Sequence, residues 1–304
     1  MVKTEAFGRY AAYVISDGDL SVTVTALGAT VTSIKLSGTE LTLGYETPEE
    51  YLAGTSYIGA FIGRFANRIG GGRFPLDGRE CSVSVNEGAN TLHGGVNSWD
   101  KREWTAEILS ENSVKLSLES PDGDNGFPGK MTASVVYTVS DNALRLDFGG
   151  VTDAPTVYAP TTHIYFTLGE KNVLDFSACI NAFGRLEAGE GLIPTGAILP
   201  ATDAFDFTAE KKIARNFDDC FVLFPAPFAC RMSSSKAAVT LKTDFPALQF
   251  YTGGALEEHF GANAGFAIEP EFYPDAVNHP EWPSCTLRPG ESFSRFAEYS
   301  FKLI

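Results

Sequence analysis

The sequence consists largely of short stretches in which apolar and polar residues alternate, separated by turns rich in glycine, proline, aspartate and asparagine. Residues 21–36 and 114–119 alternate in this way, and residues 131–139 and 144–148 flank the turn at 140–142. A period of two is typical of β-strands that bury one face. Long amphipathic helical periods are absent. The sequence therefore predicts an all-β protein built as a large antiparallel sandwich or barrel.

One short helix is predicted within this pattern. Thr47 has the character of an N-cap, Pro48 stands at the first helical position, and Glu50 follows three residues after the cap. Gly54 limits the helix to a few residues. No linker, internal repeat or shift in composition divides the chain, so we expect residues 1–304 to form a single domain.

Composition narrows the partners that the chain can have. The formal net charge of −15 argues against nucleic acid or an anionic membrane as the main partner, because both require clustered lysine and arginine. The N-terminus has no apolar signal-peptide segment, and no apolar run reaches the length of a membrane span. The five cysteines are scattered and odd in number, which favours reduced thiols in a cytoplasmic protein.

Residues 57–95 are the most unusual stretch of the chain. They are rich in glycine, which allows backbone to approach a ligand closely. The stretch has too little apolar character for a core strand, so we expect it to form one wall of a site for a neutral small molecule with many hydrogen-bonding groups. The polar side chains that it gathers are Arg64, Asn67, Arg68, Asn86, Asn90 and His93.

Histidine is scarce, and two of the four histidines lie in polar contexts flanked by turns. His93 and His163 are candidates for acid–base work, although a hydrogen-bonded structural role is the commoner fate of a single histidine. We interpret His259 as a solvated loop residue and His279 as part of a turn between prolines.

Glu269 follows the apolar run 266–268 and precedes Pro270. A carboxyl group in this position can act as a base with a raised pKa, or it can simply emerge at the end of a strand. We expect the strand to end at Glu269. Glu271 would then not share its face.

Motifs for other chemistries are missing from the sequence. There is no His-x₃₋₅-His or His-Glu-x-x-His spacing for a metal and no cysteine cluster. There is no Gly-x-Ser-x-Gly elbow, phosphate-binding loop or dinucleotide fingerprint. We therefore predict that the protein uses neither a metal nor an organic cofactor.

Several motifs, in order along most of the chain, resemble the galactose mutarotase or aldose 1-epimerase family. The family pattern Gly-Arg-x-Ala-Asn-Arg-Ile is found at 63–69, Asn-x-Leu-His-Gly-Gly at 90–95, and a form of Thr-Asn-His-x-Tyr-Phe-x-Leu at 161–168. Further motifs are Gly-Leu-Ile-Pro-Thr-Gly at 191–196, Phe-Asp-Phe at 205–207, Gln-Phe-Tyr-Thr-Gly at 249–253, and Leu-Arg-Pro-Gly-Glu at 287–291. The family's Leu-Glu-Thr-Gln is matched by Ile-Glu-Pro-Glu at 268–271, followed by Pro-Asp-x-x-Asn-His-Pro at 274–280.

The resemblance implies an antiparallel β-sandwich of many strands, the mutarotase supersandwich, with an open cleft. It also implies interconversion of the α and β anomers of a free aldose such as galactose or glucose. Glu269 resembles the general base, His163 the general acid and His93 a second active-site imidazole. The residues that resemble ligands of the sugar hydroxyls are Asn67, Arg68, Asp218 and Gln249.

This chain departs from the family pattern at several positions near those residues. The family's Tyr-Asp-x-Asn-Phe is here the segment 217–221, in which Cys220 replaces the asparagine and Asp219 could compete with Asp218. Thr162 replaces the asparagine before the acid histidine, and Ser98-Trp99 replaces Gly-Phe. These departures leave the acid and base in place and affect the preference for a particular sugar.

Mutarotation explains why such residues are needed. A base removes the proton of the C1 hydroxyl while an acid protonates the ring oxygen, and the roles reverse on closure. Three alternatives remain: an epimerase of a hexose 6-phosphate with Arg64 or Arg73 near the phosphate, a non-catalytic carbohydrate-binding domain, and a glycoside hydrolase using Glu269 and Asp218. We expect a small-molecule sugar as the partner and a monomer or homodimer in solution.

Overall fold

The computed structural model describes residues 1–256 and 259–304. Within these residues the chain forms one α-helix, α1 (Pro48–Ala53), and many short strands, numbered in chain order. The strands of the first half are β1 (Val2–Phe7), β2 (Tyr10–Asp17), β3 (Leu20–Thr25), β4 (Thr30–Leu36), β5 (Thr39–Glu40), β6 (Phe61–Ile62), β7 (Arg68–Ile69), β8 (Arg73–Leu76), β9 (Arg79–Ser82), β10 (Thr91–Leu92), β11 (Thr105–Ser110), β12 (Ser113–Ser120), β13 (Met131–Ser140) and β14 (Ala143–Thr152).

The strands of the second half are β15 (Thr156–Val157), β16 (Thr161–Thr162), β17 (Tyr165–Phe166), β18 (Ser177–Ile180), β19 (Ala182–Ala188), β20 (Pro194–Pro200), β21 (Lys211–Lys212), β22 (Asp218–Leu223), β23 (Cys230–Ser233), β24 (Ala237–Thr243), β25 (Ala247–Tyr251), β26 (Phe266–Glu271), β27 (Thr286–Leu287) and β28 (Phe293–Leu303). Single turns of 3₁₀-helix occur at Gly70–Gly72, Trp99–Lys101, Val173–Asp175, Glu190–Leu192, Asp203–Phe205 and Ala276–Asn278.

Three sheets contain most of these strands, and the pairs between the named strands are antiparallel. A nine-stranded sheet has the order β11-β12-β13-β14-β28-β24-β23-β18-β21, and a six-stranded sheet has the order β17-β26-β25-β22-β19-β20. A five-stranded sheet runs β1 to β5. The prediction of an all-β antiparallel protein with little helix is confirmed. The predicted hairpin is also present, since β13 pairs with β14 around the turn at 141–142.

The sheets are held together by one large hydrophobic core. In β13 and β14 buried and partly exposed residues alternate along the whole strand, which is the pattern of a sheet with one covered face. A single cluster of buried side chains includes Ile15 of β2, Val135 of β13, Phe250 of β25 and Phe301 of β28. The burial of apolar surface between stacked sheets therefore fixes the position of the six-stranded sheet, which carries the site.

Helix α1 begins as its sequence predicts. The Thr47 hydroxyl accepts a hydrogen bond from the Glu50 amide at 3.3 Å, and the Glu50 carboxylate accepts one from the Thr47 amide at 2.9 Å. This is a capping box, which satisfies amides that the first turn of a helix leaves unpaired. The helix ends at Gly54, whose amide donates to the Glu50 carbonyl.

Strand β26 corrects one prediction. It does not end at Glu269 but continues through Pro270 to Glu271. The Pro270 carbonyl accepts a hydrogen bond from the Thr161 hydroxyl, on the side away from β25. A proline in a strand is tolerated where its nitrogen faces away from the pairing partner, because no ladder hydrogen bond is then lost. Glu269 and Glu271 consequently share one face of β26.

Two further features concern helix length and the cysteines. Among the described residues, no helix is both long and apolar enough to cross a bilayer. All five cysteines are free, and three of them, Cys220, Cys230 and Cys285, are buried.

Candidate active site

A cleft of about 390 Å³ opens over the six-stranded sheet. Strands β26 and β25 form its floor, and the loops around β7, β10 and β16 form its walls. Segments far apart in sequence therefore meet here. The lining includes every residue that the family resemblance assigns to the site: Asn67, Arg68, His93, His163, Asp218, Gln249 and Glu269.

His163 and Glu269 face each other across the floor of the cleft. The His163 Nε2 atom lies 3.6 Å from the Glu269 Oε1 atom, and both side chains are buried. The loop that carries His163 is fixed by its backbone, since its amide donates to the Ala60 carbonyl and its carbonyl accepts from the Gly59 amide. The His163 Nδ1 atom and the Glu269 Oε2 atom have no hydrogen-bond partner among the described residues. Two titratable groups thus meet with free hydrogen-bonding capacity.

His93 is held in one tautomer by the backbone of Asn67. The Asn67 amide donates to the His93 Nδ1 atom at 3.1 Å, and the His93 amide donates to the Asn67 carbonyl at 3.0 Å. Because Nδ1 accepts a hydrogen bond, the proton of the neutral ring is on Nε2. Gly94 allows this tight turn, since a Cβ atom there would lie 2.1 Å from the Gly63 carbonyl oxygen. His93 therefore offers a fixed N–H donor.

Arg68 is anchored from two sides. Its guanidinium group forms a bidentate pair with the Glu87 carboxylate at 2.7 and 2.8 Å and also donates to the Asn67 Oδ1 atom at 3.2 Å. The Asn67 Nδ2 atom donates to the Glu271 Oε1 atom at 3.3 Å. Asn67 therefore joins Arg68, His93 and Glu271, and retains one amide hydrogen for a ligand.

Asp218 and Gln249 form a second hydrogen-bonded pair at the cleft. The Gln249 Nε2 atom donates to the Asp218 Oδ1 atom at 2.7 Å, while the Gln249 Oε1 atom is buried without a partner. The competing carboxylate, Asp219, does not line this cleft and lies 3.7 Å from Arg185. Of the two neighbouring aspartates, Asp218 is the one at the cleft.

The acid–base pair has strongly shifted pKa values. Burial, together with the neighbouring Glu271, raises the pKa of Glu269 well above its ordinary range. Burial lowers the pKa of His163 to about 4 and also lowers the pKa of His93, to which nearby His163 and Arg68 contribute. These shifts favour the proton that the pair shares on the carboxyl group and keep both imidazoles neutral.

The glycine-rich stretch is less uniform in its role than predicted. Much of 58–69 is buried, and β6 and β7 lie within it. Arg64 points away from the cleft and is 1% exposed. Its guanidinium group donates to Ser120, Pro121, Pro128 and Thr156. The prediction that the polar side chains of residues 57–95 face a ligand is wrong for Arg64. Its guanidinium group instead donates hydrogen bonds to other parts of the fold.

Asn86 and Asn90 also stabilise loops in that stretch. The Asn86 side chain exchanges hydrogen bonds with the backbone of Leu92, and the Asn90 Oδ1 atom accepts from the Gly71 amide. Neither residue lines the cleft. Asn67, Arg68 and His93 are the members of the stretch that do.

Two tyrosines, Tyr57 and Tyr165, also line the cleft, although the sequence motifs do not single out Tyr57. The Tyr57 ring meets the His93 ring edge-on, with centroids 4.7 Å apart, and lies 6.2 Å from the His163 ring. Its position beside the glycines of the same stretch was the available signal. Tyr165 also lines the cleft, whereas Phe166 packs in the core against Phe266.

The other two histidines lie away from the cleft lining. His259 is exposed, as predicted. The His279 ring stacks on Trp282 at 4.0 Å, within the turn that the prolines mark.

His93, His163 and Glu269 also offer the atom types that bind metals, and their potential ligand atoms lie within 4.8 Å of one another. The tautomer of His93 reduces the ability of this residue to bind a metal. Its Nδ1 lone pair accepts from the Asn67 amide, and its Nε2 atom carries the proton. The arrangement is better suited to donating and accepting protons than to three-point metal ligation.

Comparison with known proteins places the chain among sugar epimerases. A family model described as aldose 1-epimerase matches residues 11–300. An aldose 1-epimerase of Escherichia coli is 36% identical over 94% of this chain and 93% of its own length. A galactose mutarotase of Bos taurus is 33% identical over 97% of this chain and 95% of its own length.

Solved structures agree with the sequence relatives. An aldose epimerase homologue from C. elegans superimposes with a TM-score of 0.93 at 29% identity, covering 97% of this chain and 99% of the other. A galactose 1-epimerase from Lactobacillus acidophilus gives a TM-score of 0.93 at 26% identity, covering 100% and 99%. Because the family match spans nearly the whole chain and named relatives exceed 30% identity, the chain belongs to the aldose 1-epimerase family.

Proposed function

We propose that this protein is an aldose 1-epimerase that interconverts the α and β anomers of a free aldohexose such as galactose or glucose. The observation that carries the proposal is the His163–Glu269 pair, 3.6 Å apart on the floor of a polar cleft. Family membership supports the same reaction.

The reaction is a pair of proton transfers around ring opening. Glu269, as carboxylate, removes the proton from the C1 hydroxyl while His163 delivers a proton to the ring oxygen. The C1–O5 bond breaks, an aldehyde and a C5 hydroxyl form, and C1 rotates about C1–C2. The steps then reverse on the other face of the carbonyl. No atoms are gained or lost.

A single mobile proton on the pair is sufficient for this cycle. The opposite pKa shifts of the two groups favour that proton on Glu269, and the active arrangement transfers it to His163. The positive charge of Arg68 lowers the pKa of Glu269 and so favours this transfer. Because the roles exchange between opening and closure, a site with one mobile proton serves both directions.

The remaining lining residues bind the sugar in this proposal. His93 donates its Nε2–H to a sugar oxygen on which negative charge develops, and Arg68 stabilises the same charge. The neighbouring hydroxyls are bound by Asn67, Asp218 and Gln249, whose polar side chains line the cleft.

The two arginines considered for binding the phosphate of a hexose 6-phosphate do not support that alternative substrate. Arg64 is buried in hydrogen bonds of the fold, and Arg73 is 65% exposed beside Glu80. Neither arginine lines the cleft. The arginine that does, Arg68, already holds the Glu87 carboxylate in a bidentate ion pair, which occupies the donors that a phosphate would need.

Polarimetry tests the proposal directly. Freshly dissolved α-D-galactose and α-D-glucose are followed with and without catalytic amounts of protein, and the protein should speed the approach to the same final rotation. Binding heat without acceleration would instead indicate a non-catalytic binding domain. Acceleration restricted to a hexose 6-phosphate would indicate the phosphorylated substrate.

The proposal extends to organisation and location. Residues 1–304 form one domain, supported by a core cluster with members from Ile15 to Phe301. The protein is a monomer or homodimer, which size-exclusion chromatography tests. Five free thiols support a cytoplasmic location.

A further inference from the structure

Glu271 is a second carboxyl group directly beside the proposed base. It shares the cleft-side face of β26 with Glu269, and it is 0% exposed. Two residues along a strand on one face lie close enough for strong electrostatic coupling when both are buried. Within the described part of the chain, neither carboxyl group pairs with lysine or arginine, and Glu269 has only the His163 ring at 3.6 Å.

The contacts of Glu271 lead to the site rather than into the core. Its Oε1 atom accepts from the Asn67 Nδ2 atom, and its carboxyl group also interacts with the buried Cys220 thiol. Asn67 in turn holds the Arg68 guanidinium group through its side chain and the His93 ring through its backbone amide. A change at Glu271 can therefore reach two proposed sugar-binding groups.

Two adjacent buried carboxylates without a cation would repel each other strongly. The reaction requires Glu269 to be ionised during part of the cycle. The neighbouring carboxyl group must then be neutral for that charge to be tolerated. A neutral Glu271 also keeps an acceptor oxygen for Asn67.

We propose that Glu271 is a positioning residue of the epimerase site, a carboxyl group that stays protonated throughout the cycle and orients Arg68 and His93 through Asn67. The proposal rests on the proposed function, in which Glu269 and His163 exchange the mobile proton.

Several titratable or charged groups face these two carboxyl groups from neighbouring elements and enter any interpretation of pH dependence. They are Arg68 of β7, the loop residues His93 and His163, Asp218 and Cys220 of β22, Tyr251 of β25 and Tyr299 of β28.

Glu271→Gln and Glu271→Leu separate the charge of the residue from its hydrogen bond. The glutamine variant keeps a neutral acceptor for Asn67, so its kcat/KM should stay within about threefold of the wild-type value. The leucine variant removes the acceptor, and kcat/KM should fall by about 10–100-fold through misplacement of Arg68 and His93. Equal loss in both variants, or no loss in the leucine variant, would overturn the proposal.

The pH profile gives a second readout. If Glu271 is neutral in the active protein, Glu271→Gln leaves the alkaline limb of kcat/KM where it is in the wild type. If Glu271 is anionic, removing its charge lowers the pKa of Glu269 and moves that limb to lower pH. Such a movement would contradict the proposal.

Infrared spectroscopy tests the protonation without requiring turnover. At pH 7 the wild-type spectrum minus the Glu271→Gln spectrum should contain the carbonyl band of a protonated carboxyl group, since Glu269 is present in both proteins. Absence of a difference band would show Glu271 ionised and overturn the proposal. A wild-type protein that fails to accelerate mutarotation would contradict the proposed function, while the infrared result would still report on Glu271.

Discussion

Two buried polar clusters in this protein differ in how completely their atoms are hydrogen-bonded. Around Arg64 the guanidinium group donates five hydrogen bonds of 2.8 to 3.1 Å to hydroxyl and carbonyl oxygens. At the cleft and directly beside it, His163, Gln249, Glu269 and Glu271 each retain a buried atom that has no hydrogen-bond partner in residues 1–256 and 259–304. Both clusters contain titratable groups, but only the second has capacity left for a ligand.

The difference separates a structural role from a functional one. A buried charge whose donors are all used stabilises the segments that it joins, and its removal leaves several oxygens unpaired. Unpaired groups in a cleft cost stability and are typical of sites that a substrate completes. Arg64 and Arg68 illustrate the contrast within one motif, since only three residues separate them.

The largest expected effect is on the cleft side. Glu269→Gln should reduce kcat by about 10⁴-fold, because the amide cannot accept the C1 proton. The free energy of unfolding should change by no more than about 1 kcal/mol, since shape is retained. Polarimetry and thermal denaturation measure the two quantities. Wild-type kcat in a folded variant would contradict the base assignment.

His163→Asn should have the next largest effect. Asparagine occupies similar space but cannot transfer a proton, so kcat should fall by about 10³-fold while the protein remains folded. Thr162→Ser at the preceding buried position serves as a control with nearly wild-type kcat. A loss of less than tenfold in His163→Asn would argue against an acid role.

Arg64→Met should produce the opposite pattern. The variant leaves the oxygens around Ser120 and Thr156 unpaired, and the free energy of unfolding should fall by about 3–5 kcal/mol. The kcat of the protein that remains folded should be nearly unchanged. Arg68→Met is the matched control, with lower kcat/KM and a small change in stability. Chemical denaturation measures the stability of both variants, and polarimetry measures their activity. A large loss of kcat in Arg64→Met, or a large loss of stability in Arg68→Met, would contradict the roles assigned to the two arginines.

The smallest expected effect concerns the pH dependence of the rate. Its acid and alkaline limbs should be displaced from the ordinary pKa values of histidine and glutamate. One mobile proton on the pair is required, so activity falls below about pH 4, where His163 also becomes protonated. It falls again at alkaline pH, when Glu269, with its raised pKa, loses the proton. Initial rates corrected for the uncatalysed reaction measure both limbs. An acid limb near 6.5, the usual pKa of histidine, or no alkaline limb, would contradict the shared proton.

Much of the fold follows from local pattern. Alternation in β12, β13 and β14 and the capping box at Thr47 are visible in the sequence because side-chain direction and capping depend on residues close together along the chain. The motifs around His93, His163 and Glu269 likewise identify the cleft residues, because each motif is short and contiguous.

What the sequence determined by itself is therefore the all-β class, the family and the candidate site residues. Only the tertiary structure decided that Arg64 belongs to the fold and Arg68 to the cleft, because that depends on which residues, distant in sequence, surround each guanidinium group. It also decided that β26 continues through Pro270 and brings Glu271 beside Glu269. Strand β25 pairs with one edge of β26, and Thr161 of β16 donates to the Pro270 carbonyl on the other edge. Both strands are distant from Pro270 in sequence and adjacent to it in space, so the sequence around Pro270 could not show that the strand continues.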